Sequence, residues 1–390
     1  MKKISILGAT GSVGINTLKI LADYKSKYQV IALTSYKNYK KLAKYALMFN
    51  CKYAVIGEKK YYKKLKDELF GSNVKCLAGN KSICEVSSLN VDIIISAIVG
   101  IAGLKPTFAS LGNAKILAIA NKESVISAGK LLLQKAKFKK TKIIPLDSEH
   151  NAIYQILDKE KKASIKSIIL TASGGPFLKM HQKNFKNITV EEALMHPNWR
   201  MGKKITIDSA TLVNKIIEVI EASILFDLSL EKIDILIHPP SIIHGIVNFI
   251  DGSSHLVASS PDMKIPISYA LSWPDRSVNH LKCLNFSKNY SLNFIKPNYE
   301  KFPALSLKKI ISNSLFTKSS VIVLNAANEI AVENFLKKNI KFDDIVRIIK
   351  KTVYEFNHTE IKTLKDVLSV DSEARLLTNK IIKKKNRLCI

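Results

Sequence analysis

Lys3-Ile-Ser-Ile-Leu-Gly8-Ala-Thr-Gly11-Ser-Val-Gly14 opens the chain, and its reading decides the fold. A short apolar strand, Lys3–Leu7, runs into three glycines, and helical spacing follows over Thr10–Tyr24. Glycines let a backbone turn tightly and approach a pyrophosphate, while a helix N-terminus offers free N–H groups and a positive dipole end. The spacing here is Gly-x-x-Gly-x-x-Gly rather than Gly-x-Gly-x-x-Gly, so the pattern alone is weak. Its position is strong: directly after a strand and directly before a helix. A plain glycine turn is the competing reading.

Working outward, strands are predicted at Gln29–Thr34, Ala54–Ile56, Ile93–Ala97, Ile116–Ala118 and Ile143–Pro145, with a helix over Tyr39–Phe49. Alternation of this kind predicts a parallel, doubly wound sheet. The expected architecture is α/β: a Rossmann-like dinucleotide-binding domain over 1–146 and a central α+β catalytic domain over 147–284. A linker over 285–304, rich in Asn, Ser, Lys and Pro, then leads to a small helical domain over 305–390. The central strands are expected at Ser167–Thr171, Ile233–Ile237 and Gly245–Phe249.

The second strand ends Ala32-Leu-Thr-Ser-Tyr-Lys37-Asn38. A site for NAD places Asp or Glu there, on the ribose diol. Here no acid is present and Lys37 is, which suits a 2′-phosphate and predicts NADPH over NADH.

The net charge of +29 over 390 residues invites a nucleic-acid reading. The excess is almost all Lys, spread along the chain, with Arg only at 200, 276, 347, 375 and 387. Duplex readers use Arg for bidentate contacts, so nucleic acid is not the expected partner. Five Cys, at 51, 76, 84, 283 and 389, contain no Cys-x-x-Cys pair. That argues against a disulfide framework or structural zinc, and for a reducing compartment. A strand begins almost at once, so no signal peptide is expected. The longest apolar stretch, around 93–104, is too short to span a bilayer. A soluble cytoplasmic protein without a membrane partner is the expectation.

The segment His196–Glu218 reads as the wall of a site. Its polar half runs into an apolar helical pattern that carries Asn214, Glu218 and Glu221 as a polar stripe. A helix apolar on most sides is buried, and a buried carboxylate needs a partner. Asp147 and Glu149 follow the strand Ile143–Leu146; in an extended chain, residues i and i+2 share a side. Two carboxylates with Glu218 would make a hard oxygen site suited to Mg²⁺ or Mn²⁺. Spacing alone leaves metal ligation and helix capping evenly matched. Lys122, after the strand ending at Ala120, is either an anion-binding group or a surface lysine. Ser173-Gly-Gly is either an anion loop or a simple turn. His238 and His244 fit hydrogen-bonded core histidines as the commoner case. Trp199, beside Pro197 and Gly202, reads as a lid residue rather than core.

Taken in order, these pieces resemble the 1-deoxy-D-xylulose 5-phosphate reductoisomerase family nearly end to end. The residues that carry the resemblance are Gly8–Gly14, Ala120-Asn-Lys-Glu-Ser124, Pro145-Leu-Asp-Ser-Glu-His-Asn-Ala152, Ser173-Gly-Gly-Pro-Phe177 and His196–Glu218. Ile237-His-Pro-Pro-Ser241, Pro261-Asp-Met263 and Leu324-Asn-Ala-Ala-Asn-Glu329 complete the set. No one piece is decisive; the ordered set is specific.

The resemblance implies an NADPH- and divalent-cation-dependent enzyme of the non-mevalonate isoprenoid pathway. It would convert the sugar phosphate 1-deoxy-D-xylulose 5-phosphate to 2-C-methyl-D-erythritol 4-phosphate, by a retro-aldol/aldol rearrangement and hydride reduction of an aldehyde. Carried over by motif, Asp147, Glu149 and Glu218 hold the metal. Thr10, Gly11, Ser12 and Val13 cradle the cofactor phosphates, helped by Lys37, Asn38, Asn121, Glu123 and Gly202. Ser173, Ser209, Asn214 and Lys215 bind the substrate phosphate. Lys122, Ser148 and His196 contact its carbon skeleton and hydroxyls, beside Glu149 and Glu218. Trp199 and Met201 belong to a flexible lid, and Ser241, His244 and Met263 line the pocket nearby. A homodimer is implied too.

Three positions depart from the family pattern: Pro240 for a usual Gln, Ile216 for a common Gly, and Tyr36 for a usual Gly. The first two bear on the pocket and the third on adenosine binding. The nearest rival, another two-domain NADP-dependent oxidoreductase such as an aspartate-semialdehyde dehydrogenase, needs a nucleophilic Cys. No Cys lies between Cys84 and Cys283. A basic nucleic-acid-binding protein is the remote rival, and it predicts clustered cations with interleaved aromatics.

Overall fold

The computed structural model describes residues 1–158, 160–199, 201–276, 281–287, 291–312 and 319–388. Arg200, Cys389, residues 288–290 of the expected linker, and residues 313–318 and 389–390 of the expected helical domain lie outside the described residues. By contact the chain forms two compact units. One comprises 1–124, 132–154 and 262–283, and the other 125–131, 155–261 and 284–390.

The first unit is built on seven strands: β1 (Lys2–Leu7), β2 (Tyr28–Ser35), β3 (Tyr53–Ile56), β4 (Lys75–Ala78), β5 (Val91–Ser96), β6 (Ala114–Ile119) and β7 (Lys142–Pro145). Their order is β4-β3-β2-β1-β5-β6-β7, with every pairing parallel. Helices α1 (Ser12–Asp23), α2 (Tyr39–Met48), α3 (Tyr62–Glu68), α4 (Asn80–Ser87), α5 (Leu104–Ser110), α6 (Lys122–Phe138) and α7 (Ser148–Leu157) alternate with them. β5 reads Val-Asp-Ile-Ile-Ile-Ser because a parallel strand covered on both faces buries successive residues. The order reverses between β1 and β5, which opens a crevice at their carboxyl ends.

The second unit holds a four-stranded sheet: β8 (Ile165–Ala172), β9 (Ile233–Ile237), β10 (Ile243–Phe249) and β11 (Ser254–Ala258), in the order β11-β10-β8-β9. Helices α8 (Val190–Ala193), α9 (Lys203–Thr211) and α10 (Val213–Phe226) lie between β8 and β9 in the chain. α11 (Lys264–Ser272) belongs to the first unit, and α12 (Leu307–Ser312), α13 (Ser319–Leu336), α14 (Asp344–Glu355) and α15 (Leu364–Leu388) to the second. α13 is apolar on most sides and central to its neighbours α14 and α15, as its sequence demands.

The α/β class and the Rossmann-like first sheet are as expected. β4 and β11 carry too little periodicity to have been anticipated. The contact units do not follow the boundaries at 146, 284 and 304. Ile267, Ala270 and Leu271 of α11 enter the core of the first unit. In the second unit Phe342 packs edge-on to Phe177, with ring centroids 5.3 Å apart. The segment expected as a linker also pairs with the small sheet: Ile295 and Ile237 exchange two backbone hydrogen bonds of 2.8 Å.

Candidate functional site

In the first unit, the turn between β1 and α1 is fixed by β2. Gly8 N–H donates to Thr34 Oγ1 at 2.9 Å, and Ala9 N–H to Thr34 O at 2.8 Å. The Thr10 and Ser35 hydroxyls lie 2.7 Å apart. Gly8 has φ +90°, and a Cβ on Gly14 would lie 2.4 Å from Gly8 O, so both positions require glycine. Gly11 caps α1 without a side-chain hydrogen bond, and Gly11 and Ser12 face solvent. The first-turn N–H groups are therefore presented to an anion. The backbone fits a dinucleotide phosphate. Beyond β2, Lys37 is exposed, and Asn38 caps α2 by accepting Lys41 N–H at 3.1 Å.

Asn121 sits where β6 passes into α6. Its amide donates to Ile98 O (2.6 Å), Gly100 O (3.0 Å) and Glu123 Oε2 (3.0 Å), and its Oδ1 accepts Ser124 N–H at 2.9 Å. These bonds tie the ends of β5 and β6 together beside the crevice. Lys122 is 7% exposed, which rules out a surface lysine. Its Nζ lies 2.6 Å from Asp147 Oδ2, and His150 Nδ1 lies 3.4 Å from Asp147 Oδ1. Burial pushes the Asp147 carboxyl up, but the Lys122 ammonium, His150 and Glu149 outweigh it and hold the group well below the usual carboxylate range.

The extended-chain argument for Asp147 and Glu149 does not hold. β7 stops at Pro145, and Glu149 lies in the first turn of α7, where Ser148 Oγ meets its carboxylate at 2.5 Å. The two side chains nevertheless bring one carboxylate oxygen each to within 4.8 Å of one another. Asp147 Oδ1 is buried and makes no close hydrogen bond, His150 Nδ1 approaching only to 3.4 Å, and the carboxylate oxygens of Asp147 and Glu149 are hard donors that fit a divalent cation. Met263, just before α11, packs against the core of this unit.

In the second unit, His196 gathers the segment singled out by sequence. Its Nε2 lies 3.0 Å from Ser173 Oγ and 3.2 Å from Ser209 Oγ. Its Nδ1 accepts Trp199 N–H at 2.9 Å and Asn198 N–H at 3.2 Å. Accepting at Nδ1 places the neutral ring's proton on Nε2, facing the two hydroxyls. Burial lowers its pKa from the ordinary 6.5, favouring that neutral form.

α9 and α10 are separate helices because Leu212, fully buried, takes φ +60°. A left-handed Leu costs about 1–2 kcal/mol. The break lies between Ser209 on α9 and Asn214, Lys215 and Glu218 on α10. On α10, Asn214 and Lys215 both hydrogen-bond the Glu218 carboxylate, and Lys215 Nζ also donates to Thr171 O at 2.5 Å. Lys215, Glu218 and Glu221 are each at most 3% exposed.

Trp199 meets His244 edge-on at 6.2 Å rather than entering a core, and Met201 and Gly202 lead from it into α9. His244 Nε2 lies 3.2 Å from Ser259 O, and His238 is a core histidine stacked on Phe294 at 4.7 Å. Ser241 has φ +53° and accepts Asn198 Nδ2 at 2.9 Å. Pro240 lies in the turn before it, and Ile216 is fully buried.

Sequence reasoning missed three polar partners. Asn198 also donates to Pro239 O at 2.8 Å and so ties the segment before Trp199 to the turn before β10. Asp208 accepts Asn328 Nδ2 at 2.9 Å and pairs with Lys204 at 2.8 Å, fixing α9. The signal was available in Asp208 and Asn328 as polar residues inside apolar helices, but their partnership spans 120 positions.

The chain matches models of 1-deoxy-D-xylulose 5-phosphate reductoisomerase over residues 4–129, of its C-terminal domain over 143–226, and of the DXP reductoisomerase C-terminal domain over 258–377. It is 48% identical to the 1-deoxy-D-xylulose 5-phosphate reductoisomerase of Wolbachia pipientis subsp. Culex pipiens, across 99% of this chain and 98% of that one. It is 45% identical to the Ehrlichia canis protein of the same name, across 98% and 100%. The Zymomonas mobilis enzyme, solved in complex with NADPH, superposes with a TM-score of 0.90 at 42% identity, over 98% and 99%. A DOX-P reductoisomerase solved with NADPH, fosmidomycin and magnesium gives 0.91 at 38% identity, over 98% of each chain.

Proposed function

The chain belongs to the 1-deoxy-D-xylulose 5-phosphate reductoisomerase family, and from that premise we propose that it isomerises and reduces 1-deoxy-D-xylulose 5-phosphate to 2-C-methyl-D-erythritol 4-phosphate. It is an NADPH-dependent enzyme of isoprenoid synthesis that uses a divalent cation. The observation that carries the substrate reading is the convergence of Ser173 and Ser209 on His196 Nε2. Two hydroxyls and an imidazole N–H form a compact set of donors for a phosphate.

The proposed roles follow the resemblance. Asp147 and Glu149, with Glu218, hold one Mg²⁺ or Mn²⁺. When bound, the cation supplies Lewis acidity toward adjacent carbonyl and hydroxyl oxygens of the substrate, and NADPH supplies the hydride. Lys122 keeps Asp147 ionised and, with Ser148, Glu149, His196 and Glu218, orients the carbon skeleton. Ser173, Ser209, Asn214 and Lys215 grip the phosphate, giving binding energy remote from the reacting carbons. Thr10, Gly11, Ser12 and Val13 receive the cofactor pyrophosphate. Lys37, Asn38, Asn121, Glu123 and Gly202 complete that subsite. Trp199 and Met201 close as a lid and keep water from the reaction, with Ser241, His244 and Met263 along the pocket. The functional division is cofactor binding in 1–146 and catalysis in 147–284, followed by the 285–304 connection and the helices of 305–390.

We place the enzyme in the cytoplasm as a homodimer, with no nucleic-acid or membrane partner. Among the described residues no helix is long and apolar enough to cross a membrane. The test is NADPH oxidation with 1-deoxy-D-xylulose 5-phosphate, with and without Mg²⁺ or Mn²⁺. Metal-dependent turnover is expected. A folded protein that turns over in neither condition overturns the assignment.

A further inference from the structure

Tyr36 follows Ser35, the last residue of β2, at the carboxyl edge of the first unit's sheet. In sheets of this topology that edge receives the adenosine of a dinucleotide. Large aromatic rings are ordinarily well covered, yet Tyr36 is 61% exposed.

Its backbone is firmly held. Gly57 N–H donates to Ser35 O at 2.8 Å, and Glu58 N–H donates to Tyr36 O at 2.9 Å. The ring occupies the space a side chain at 57 would need: a Cβ there would lie 2.7 Å from Tyr36 Cδ2. Core packing gives no reason to fix an aromatic ring in solvent.

The neighbouring charges form a pattern. Lys37 Nζ lies 5.5 Å from the Tyr36 ring centroid and 4.0 Å from Glu58 Oε2. Lys60 Nζ makes the tight contact with Glu58, at 2.5 Å from Oε1. The Glu58 charge is thus met by Lys60, and Lys37 keeps its positive charge beside the ring.

We propose that Tyr36 is the platform on which the adenine of NADPH stacks, and that the Glu58–Lys60 pair keeps Lys37, read above as the partner of the 2′-phosphate, available beside it. Ring and ammonium stand side by side, as base and 2′-phosphate do in the ligand. Aromatic stacking is tolerant of base identity and is lost with the ring. The inference rests on the cofactor reading above and assigns Tyr36, Glu58 and Lys60 parts in it.

The test is calorimetric titration of the full chain with 2′,5′-ADP and, separately, with 5′-AMP. Tyr36→Ala and Tyr36→Leu should weaken both probes by roughly tenfold, while Tyr36→Phe keeps both. Lys60→Gln should weaken 2′,5′-ADP alone, because Glu58 then captures Lys37. Unchanged affinity in the Ala and Leu variants overturns the inference and leaves the cofactor reading standing. Failure of the unsubstituted chain to bind 2′,5′-ADP overturns both.

Discussion

Lys122 Nζ sits 2.6 Å from Asp147 Oδ2, joining the first residue of α6 to the residue before α7. Both side chains are at most 13% exposed, so each charge depends on the other. Removing one partner of such a pair costs about 3–5 kcal/mol. Lys122→Met is therefore expected to lower the midpoint of urea unfolding and to abolish turnover. Lys122→Met combined with Asp147→Leu should recover stability without turnover. If the double variant is active, the pair is only structural.

Glu218→Gln keeps the shape of α10 and removes a proposed metal ligand. Turnover should fall by more than about 100-fold, while NADPH affinity, measured by fluorescence, stays nearly unchanged. Added Mn²⁺ should bind more weakly in a paramagnetic titration. Loss of NADPH binding instead would show that the metal site is misplaced.

Gly14→Ala tests the phosphate turn. The new methyl would press on backbone, at 2.4 Å from Gly8 O and 2.6 Å from Ala9 Cα, and neither atom can rotate away. A cost of about 1–3 kcal/mol is expected from overpacking. The melting temperature should drop, and NADPH binding should weaken more than binding of the sugar phosphate.

His196 predicts a pH dependence. Burial lowers its folded pKa below 6.5, so its contribution is complete above pH 6.5, where the ring is neutral folded or unfolded. As the pH falls below 6.5 the unfolded chain takes up the proton first, and stability declines until the folded ring titrates as well. Protonation also ends acceptance of Trp199 N–H at Nδ1. In a Trp273→Phe background, Trp199 fluorescence should change as the pH falls below 6.5, and His196→Gln should flatten the response. A response identical in both proteins assigns the titration elsewhere.

Asn328→Leu tests the anchoring of α9. It leaves the Asp208 carboxylate, 1% exposed, with Lys204 but without its amide donor, at a cost of about 1–3 kcal/mol. Since α9 carries Ser209, the KM for the sugar phosphate should rise while the Kd for NADPH holds. Equal effects on both ligands would indicate general unfolding rather than a displaced helix.

The sequence by itself determined the first sheet apart from its edge strand β4, because strands buried on both faces are nearly continuous apolar runs and the glycine turn marks where the first of them ends. The ordered motifs identify the family, and Asp147, Glu149 and Glu218 offer oxygen donors whatever their geometry, though their spacing alone left metal ligation and helix capping evenly matched. Tertiary structure decided what depends on separation along the chain. It buried Lys122 against Asp147, turned His196 toward Ser173 and Ser209, and tied Asp208 to Asn328. It set Glu149 in a helical turn rather than a strand, and took α11 into the first unit's core. It also drew Ile295, in a stretch that reads as a linker, onto the small sheet. Local patterns record which face of an element is apolar, but a hydrogen bond between distant residues leaves no periodic trace in either segment.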